Sequence, residues 1–398
     1  MRICQVSSCF VPSHGGVETF VYNLSKSLVK DGHEVRVITS SRGKLPSMYH
    51  EEIDGIQVVR FPEKHFFLET PILYPIALHV MKEDYDVLHV HGMVPGLTEL
   101  AVFIGRLKRK PVVVTYHCDA ENNSRYINRA INVGYNAIVK YGLPMMANKI
   151  VTTTSSYANT SVGLSRVREK LTVIPCGVGE EYLQYGVPHN GVGESEPPRL
   201  LYVGKLHKYK GVKDLLMAMS AVTREIPRAE LAIIGDGRER EHLETRAREL
   251  GLDSNVAFLG WLSKNQLLET FAKSDLLILP SINSRREAFG IVILEGMALG
   301  KPVIASRIPG PESVIEDGKN GLLIPPESPT KLAEAIIHLL RNQGIALAMG
   351  QAGREKAKQF SYDLIAKQYE ALYAAMIGPA AQPLSTIPVA QVAQVASM

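Results

Sequence analysis

Residues 275–306, DLLILPSINSRREAFGIVILEGMALGKPVIAS, constrain the fold more than any other part of the chain. The segment begins with an apolar strand at Asp275–Ser281, continues through a polar loop to Glu287, and enters a short helix at Gly290–Leu299. A second strand follows at Pro302–Ser306. Strand, helix and strand in this order predict a parallel α/β sheet. The helix N-terminus then lies beyond the carboxyl end of a strand, where open α/β sheets bind ligands.

The side chains around this turn predict a ligand that carries both phosphate and hydroxyl groups. Free N–H groups at a helix start bind anions. Glu287 and Glu295 flank that anion site, and their carboxylates would repel a phosphate but accept hydrogen bonds from hydroxyls. A nucleotide sugar meets both requirements. The alternative is an amphipathic helix whose Glu295 is merely solvated, because two glutamates eight residues apart are a weak signal alone.

The composition narrows the class of protein. A chain of 398 residues suggests two or three domains, and 45% hydrophobic with 21% charged residues predicts a packed fold. The net charge of +4 is too evenly balanced for a nucleic-acid binder. Because no run of about 18 apolar residues occurs, and the N-terminus does not resemble a signal peptide, no membrane span is expected. Four cysteines without a CxxC pair favour a reducing cytoplasm over a zinc site or disulfide framework.

The string E-A-F-G-I-x-x-x-E at 287–295 lies between an apolar strand and G-K-P-V-I-A-S. In that setting it resembles the EX7E signature of retaining GT-B glycosyltransferases, specifically glycosyltransferase family four. Motifs in the same order extend the resemblance from residue 1 to about 377. They are GGVETFVYNLSKSL from Gly15, T-x-H-x-D at 115–119, I-P-C-G-V at 174–178 and V-G-K-L-x-x-x-K-G at 203–211. No Walker A pattern or complete G-x-G-x-x-G follows the first strand, which argues against a P-loop NTPase or a dinucleotide fingerprint.

The resemblance implies an α/β chain with the GT-B architecture, in which two Rossmann-like doubly wound parallel-sheet domains face a central cleft. We expect an N-terminal acceptor-side domain at 1–185 and a C-terminal donor-binding domain at 199–360. Residues 186–198, GVPHNGVGESEPP, have the composition of a linker. A helix at 361–377 would cross back to the first domain, as in GT-B enzymes, and 378–398 is expected to be a flexible tail.

The resemblance also implies roles for individual side chains. Glu287 would face the sugar hydroxyls, Glu295 would hold the ribose hydroxyls, and His117 would lie near the transferred sugar. Lys205 and Lys210 would bind the diphosphate, with Lys205 in the place of the usual arginine, so that the charge is kept and the bidentate fork is lost. The remaining residues of the expected donor site are Gly15, Gly16, Trp261, Leu262, Phe289, Gly290, Ile291 and Val292. Cys118 separates His117 from Asp119, which departs from the commoner T-x-H-D.

The resemblance implies a retaining transferase that moves a hexosyl group from a nucleotide-diphosphate sugar, with UDP favoured over GDP, to a hydroxyl of a saccharide, lipid-linked or small-molecule acceptor. Lys205 and Lys210 would stabilise the leaving diphosphate, so a front-face displacement without a metal or cofactor is expected. Glu287 as a covalent nucleophile is the alternative within this class. A GT-B sugar phosphorylase, a nucleotide-sugar epimerase and a non-catalytic nucleotide-sugar-binding protein are the alternatives outside it.

Two further features have a plain interpretation and a functional one. His89 and His91 lie two apart on a strand and face the same side, but a third metal ligand is not evident, so an architectural role is favoured over a metal site. A basic run before another strand is either a solvated helix end or a contact with an anionic membrane surface. It consists of Arg106, Lys108, Arg109 and Lys110. The cysteine content predicts a cytoplasmic location, and the second interpretation of the basic run adds association with a membrane.

Overall fold

The structure is a computed structural model that describes residues 1–13, 15–41, 47–62, 66–67, 70–71, 74–92, 94, 96–118, 146–161, 164, 167–185, 197–284 and 286–378. The expected linker, except for its last two residues, lies outside the described residues. So do Asp119 and the expected tail beyond residue 378.

The first domain is built on a parallel sheet. Its strands are β1 (Arg2–Val6), β2 (Glu34–Ser41), β3 (Tyr49–Ile53), β4 (Ile56–Pro62), β5 (Phe66–Phe67), β6 (Thr70–Pro71), β7 (Val87–His91), β8 (Val112–Tyr116), β9 (Lys149–Thr152) and β10 (Leu171–Val173). Its described helices are α1 (Gly16–Lys30), α2 (Tyr74–His79), α3 (Leu97–Leu107), α4 (Ser155–Thr160) and α5 (Glu180–Gln184). The order in the main sheet is β10-β9-β8-β7-β1-β2-β4-β3, with β5 and β6 paired separately. Only β3 is antiparallel to its neighbour among these described main-sheet strands.

The second domain repeats this plan. Its strands are β11 (Arg199–Val203), β12 (Glu230–Ile234), β13 (Val256–Gly260), β14 (Leu276–Leu279), β15 (Val303–Ser306) and β16 (Leu322–Ile324). Its helices are α6 (Val212–Glu225), α7 (Arg240–Glu249), α8 (Lys264–Lys273), α9 (Ile291–Ala298), α10 (Pro309–Glu312), α11 (Pro329–Arg341) and α12 (Gln343–Lys358). The strand order β13-β12-β11-β14-β15-β16 is parallel throughout. The predicted pair of parallel α/β domains is therefore confirmed.

Helix α13 (Tyr362–Ile377) follows the second domain in sequence but packs against the first. Ser361 caps it by accepting a hydrogen bond from the Leu364 amide. The carboxylate of Asp363 accepts hydrogen bonds from Ser27 Oγ (3.0 Å) and Lys30 Nζ (2.7 Å), both on α1. This helix therefore fastens the end of the chain to the N-terminal sheet.

The antiparallel hairpin β3–β4 was not among the sequence predictions. Its two-residue turn is Asp54–Gly55, with φ of 51° and 78°. A D-G pair with both residues at positive φ is a strong hairpin signal. No hydrophobic pattern supports this signal, because β3, YHEEI, lies at the sheet edge and lacks an apolar run. Among the described helices, none has both the length and the apolar character that a membrane span needs.

Candidate active site between the two domains

Two helix N-termini face each other across the interdomain cleft. Helix α1 begins at Gly16 and α9 begins at Ile291. A Cβ atom built on Gly16 would lie 3.8 Å from Cδ1 of Ile291, so the two starts are neighbours. Gly290 caps α9 with φ of +85°, a conformation that favours glycine. The two helix starts therefore lie close together, and the free N–H groups of each suit an anion.

The second sheet places Lys210 and Glu287 together although they are 77 residues apart. Strand order reverses between the neighbours β11 and β14, and such a switch point forms a crevice at the carboxyl ends of the strands. Lys210 lies in the loop after β11, and Glu287 in the loop after β14. Their Nζ and Oε2 atoms are 2.5 Å apart, and both side chains are largely buried. Ser281 Oγ donates to the same oxygen at 2.7 Å.

The ion pair keeps Lys210 protonated. Burial alone would lower the pKa of Lys210, but the carboxylate of Glu287 outweighs it, and the net shift of this pKa is upward. Because Lys210 and Ser281 both bind Oε2 of Glu287, its Oε1 retains acceptor capacity for a ligand hydroxyl. No sequence pattern indicates the hydrogen bond from Ser281, because it depends on the loop conformation.

Close backbone packing holds the Glu287 loop in place. A Cβ on Gly310, in α10, would lie 2.5 Å from the carbonyl oxygen of Glu287 and 2.8 Å from the amide nitrogen of Phe289. Thr153 of the first domain donates to the carbonyl oxygen of Ala288 at 3.2 Å. The loop is therefore supported by its own domain and by the opposite one.

Glu295 is buried rather than solvated, which contradicts the interpretation of α9 as a surface helix. Burial raises the pKa of Glu295, although Lys264 and the Tyr182 hydroxyl partly offset this rise. Lys264 Nζ lies 4.0 Å from the centre of the Tyr182 ring and 2.6 Å from Oε1 of Glu181. Tyr182 and Glu181 belong to α5 at the end of the first domain. The sequence did not indicate these two partners, because the contact forms only when the domains meet.

His117 follows β8 and lies on the first-domain side of the cleft. Its ring packs against Phe20 (centroids 5.1 Å apart) and stacks on His91 (5.8 Å). Burial lowers the pKa of His117 to about 4, so the imidazole is neutral at physiological pH. Its Nε2 has no hydrogen-bond partner among the residues that the structure describes. This state favours hydrogen bonding to a ligand over proton transfer near neutral pH.

His89 and His91 are held by the protein itself. His89 pairs with the Tyr373 hydroxyl through Nδ1 (2.6 Å) and with Thr115 Oγ1 through Nε2 (2.6 Å). Nε2 of His91 donates to Oε1 of Gln5 at 2.9 Å. Burial lowers the pKa of both imidazoles well below the ordinary range. These contacts agree with the architectural interpretation and show that α13, which carries Tyr373, helps to position this strand.

Tyr373→Phe is expected to lower the free energy of unfolding by about 1–3 kcal/mol, because it leaves a buried nitrogen of His89 without its partner. Urea unfolding measures the change. Tyr22→Phe is the matched control, since the Tyr22 hydroxyl donates to Asp54 in an exposed hydrogen bond and its loss should change stability by less than about 0.5 kcal/mol. Equal losses in the two variants would contradict the structural role of Tyr373.

Two family models match the chain in succession. The model described as Glycosyltransferase Family 4 matches residues 14–182, and the one described as Glycosyl transferases group 1 matches residues 190–356. The chain belongs to glycosyltransferase family four. The gap between the two matches, residues 183–189, overlaps the first part of the expected linker at 186–198.

Relatives of this family-four chain align over almost their whole length. The chain is 28% identical to N-acetyl-alpha-D-glucosaminyl L-malate synthase of Bacillus anthracis, in an alignment that covers 92% of this chain and 95% of the relative. It is also 28% identical to O-antigen chain mannosyltransferase C of Escherichia coli, covering 95% and 99% respectively. These relatives are glycosyltransferases, which supports a transferase activity.

Solved structures confirm the GT-B fold. Sucrose-phosphate synthase from Thermosynechococcus elongatus superposes with a TM-score of 0.73 at 24% identity, covering 94% of this chain and 98% of that one. The Anabaena protein HepE in complex with UDP and glucose superposes with a TM-score of 0.70 at 20% identity, covering 94% and 99%.

Other predicted donor residues of this family-four chain lie at the carboxyl ends of the strands of the second sheet, as Lys210 and Glu287 do. Lys205 follows β11 and is half-exposed, whereas Trp261 and Leu262 follow β13. Trp261 is 39% exposed, and Leu262 packs partly against the core. Contact of Lys205, Trp261 and Leu262 with a donor stays a prediction. Among the described residues, no group of three or more His, Cys, Asp or Glu side chains is arranged to hold a metal.

Proposed function

We propose that this chain is a retaining glycosyltransferase that moves a hexosyl group from a nucleotide-diphosphate sugar to an acceptor hydroxyl. The observation that carries the proposal is the buried pair of Lys210 and Glu287 at the switch point, beside the opposed starts of α1 and α9. The helix starts and Lys210 suit a diphosphate. The remaining acceptor capacity of Glu287 suits a sugar hydroxyl, and the buried carboxylate of Glu295 suits the ribose.

The proposed chemistry is electrostatic. The bond between the sugar C1 and the diphosphate oxygen breaks, and negative charge grows on the leaving diphosphate. In this proposal Lys210, Lys205 and the helix N-termini lie near that charge and stabilise it in the transition state. The acceptor oxygen bonds to C1 on the face that the diphosphate leaves, and the acceptor proton passes to a phosphate oxygen. Fixed protein charges thus take the place of a metal in this proposal.

The contacts of Glu287 favour a binding role over a nucleophilic one. Its Oε2 atom accepts hydrogen bonds from both Lys210 and Ser281. A carboxylate whose charge is shared in this way is a weaker nucleophile, but it is well oriented to receive a sugar hydroxyl through its other oxygen. We therefore propose a front-face displacement without a covalent glycosyl-enzyme intermediate.

The donor base and the acceptor are proposed only by class. UDP is favoured, because the structurally similar Anabaena HepE is known in complexes with UDP, with UDP and glucose, and with UDP-glucose. The named relatives transfer sugars to different acceptors, which leaves a saccharide, a lipid-linked sugar or a small hydroxylated molecule as the acceptor class.

A thermal-shift panel with UDP, GDP, ADP and dTDP, each with and without EDTA, tests the donor site. Ligand binding to the folded state raises the melting temperature by an amount that depends on concentration over Kd. We expect a shift with UDP that survives EDTA and is lost in Glu295→Ala and Lys210→Ala. Arg224→Ala, an exposed change on α6, should keep the shift.

Absence of a shift with every nucleotide would overturn the transferase proposal. A shift without turnover of any donor would instead indicate a non-catalytic nucleotide-sugar-binding protein. A requirement for inorganic phosphate in place of a nucleotide would indicate a sugar phosphorylase.

Glu287→Gln is expected to make the residual activity sensitive to alkaline pH. Without the carboxylate, the burial of Lys210 is no longer outweighed, and its pKa falls. Lys210 then loses its proton at a lower pH than in the wild type. The kcat of the variant should therefore decline at an alkaline pH at which the wild-type value stays nearly constant. Parallel pH profiles of kcat for the two proteins would contradict this coupling.

A further inference from the structure

Helices α2 and α3 of the first domain present an apolar surface to the outside. Four large hydrophobic side chains are exposed there. They are Leu78 on α2 (48% exposed), Met81 in the turn after α2 (44%), and Phe103 (51%) and Leu107 (61%) on α3. Other exposed large hydrophobic side chains of the described residues are mostly separate from one another in sequence. We call this group, with the cations around it, the α2–α3 surface. Exposed apolar side chains that are grouped on two packed helices commonly mark an interaction site.

Helices α2 and α3 are in direct contact. Phe103 and Leu107 are one turn apart on the outer side of α3. Just beyond Leu107, Lys108 donates through Nζ to the carbonyl oxygens of Met81 (3.0 Å) and Val80 (3.3 Å). These bonds place the end of α3 against the turn after α2. They also use Lys108 within the domain, so this lysine is not available to a partner in the way that the sequence suggested.

The charge around the apolar side chains is positive. Four basic side chains are exposed or half-exposed at the ends of the two helices: Lys82, Arg106, Arg109 and Lys110. Of the acidic side chains nearby, Glu83 pairs with Arg36, Asp84 and Asp86 both pair with Arg2, and Glu99 accepts a hydrogen bond from the Gly96 amide. The α2–α3 surface therefore combines exposed hydrophobic groups with more cations than acids.

We propose that the α2–α3 surface docks this protein on an anionic lipid bilayer. Phe103, Leu107 and their neighbours would enter the headgroup region, and the surrounding cations would attract the negative lipid surface. Stable binding to an anionic bilayer needs both kinds of side chain. The electrostatic attraction is screened by salt, and insertion of apolar side chains does not distinguish anionic from neutral lipids. The proposal does not depend on the donor chemistry, but it would bring the cleft close to acceptors anchored in a membrane.

Cosedimentation with vesicles tests the proposal. We expect the full chain to pellet with vesicles of phosphatidylglycerol and phosphatidylcholine, to bind pure phosphatidylcholine much less, and to dissociate at high salt. The double variants Phe103→Ser/Leu107→Ser and Arg106→Glu/Arg109→Glu should each lower binding about five-fold or more. The control is Ile345→Ser/Arg224→Glu in the other domain. It removes one exposed hydrophobic side chain (Ile345 is 46% exposed) and one exposed cation, and it should bind vesicles as the wild type does.

Three results would overturn the proposal: no pelleting of the wild type, unchanged binding of Phe103→Ser/Leu107→Ser, or equal loss in the control. Self-association in the absence of lipid that the same double variant abolishes would make this surface a protein interface instead. Unfolding is excluded by the melting temperature of each variant. The UDP-induced thermal shift should be the same in all of them, so failure of membrane binding is distinguishable from failure of the proposed transferase function.

Discussion

Lys210→Ala is expected to lower kcat/KM about 10²–10³-fold, the range found when a fixed group that stabilises transition-state charge is removed. Two effects add. The leaving diphosphate loses a cation that burial and Glu287 hold in place, and Glu287 loses the partner that orients its carboxylate. The measurement is a steady-state assay of donor consumption with the nucleotide sugar that the thermal-shift panel identifies.

Lys208→Ala is the matched control for this experiment. Lys208 lies two residues earlier on the same 3₁₀ turn, Lys208–Lys210, but its side chain is exposed. Its removal changes the net charge by the same amount without touching the buried pair, so kcat/KM should stay within about three-fold of the wild-type value. A similar loss in both variants would show that the overall positive charge of this loop matters, and not the contact of Lys210 with Glu287.

The sequence predicted the sheets well where apolar strands alternate with helices. The segment 275–306 was divided into strand, helix and strand within a few residues of β14, α9 and β15. Here an apolar strand, a glycine at the helix start and a Gly-Lys-Pro stop all favour the same structure. The edge hairpin β3–β4 was missed because a polar edge strand has no buried face to produce a hydrophobic pattern.

Only those residues of the candidate site that belong to local sequence motifs could be predicted. Glu287, Glu295 and Lys210 were found from local strings, but the contact of Lys210 with Glu287 depends on the adjacency of β11 and β14, which spacing along the chain does not reveal. The contact of Tyr182 with Glu295 is even harder to predict from the sequence, because it joins two domains. Long-range contacts of this kind are set by the packing of whole elements.

Gly211→Ala tests how closely the two loops of the site must approach. Gly211 follows Lys210, has φ of +68°, and a Cβ on it would lie 1.9 Å from the carbonyl oxygen of Pro280. The loops are also joined by a hydrogen bond from the Ile282 amide to the Tyr209 carbonyl (2.8 Å). An added methyl group therefore forces apart the segments that carry Lys210 and the Glu287 loop.

We expect Gly211→Ala to lower the free energy of unfolding by about 3 kcal/mol or more, with about 1–2 kcal/mol from the left-handed backbone and the rest from the clash. Gly251→Ala separates the two terms, because Gly251 has nearly the same φ, +69°, with nothing within 4 Å of the added Cβ. Urea unfolding should show only the smaller loss in Gly251→Ala. If Gly211→Ala still folds at low temperature, its UDP-induced thermal shift should be lost while that of Gly251→Ala is kept. Equal destabilisation of the two variants would mean that the loops can separate without cost, and that the 2.5 Å pairing of Lys210 with Glu287 does not depend on this close approach.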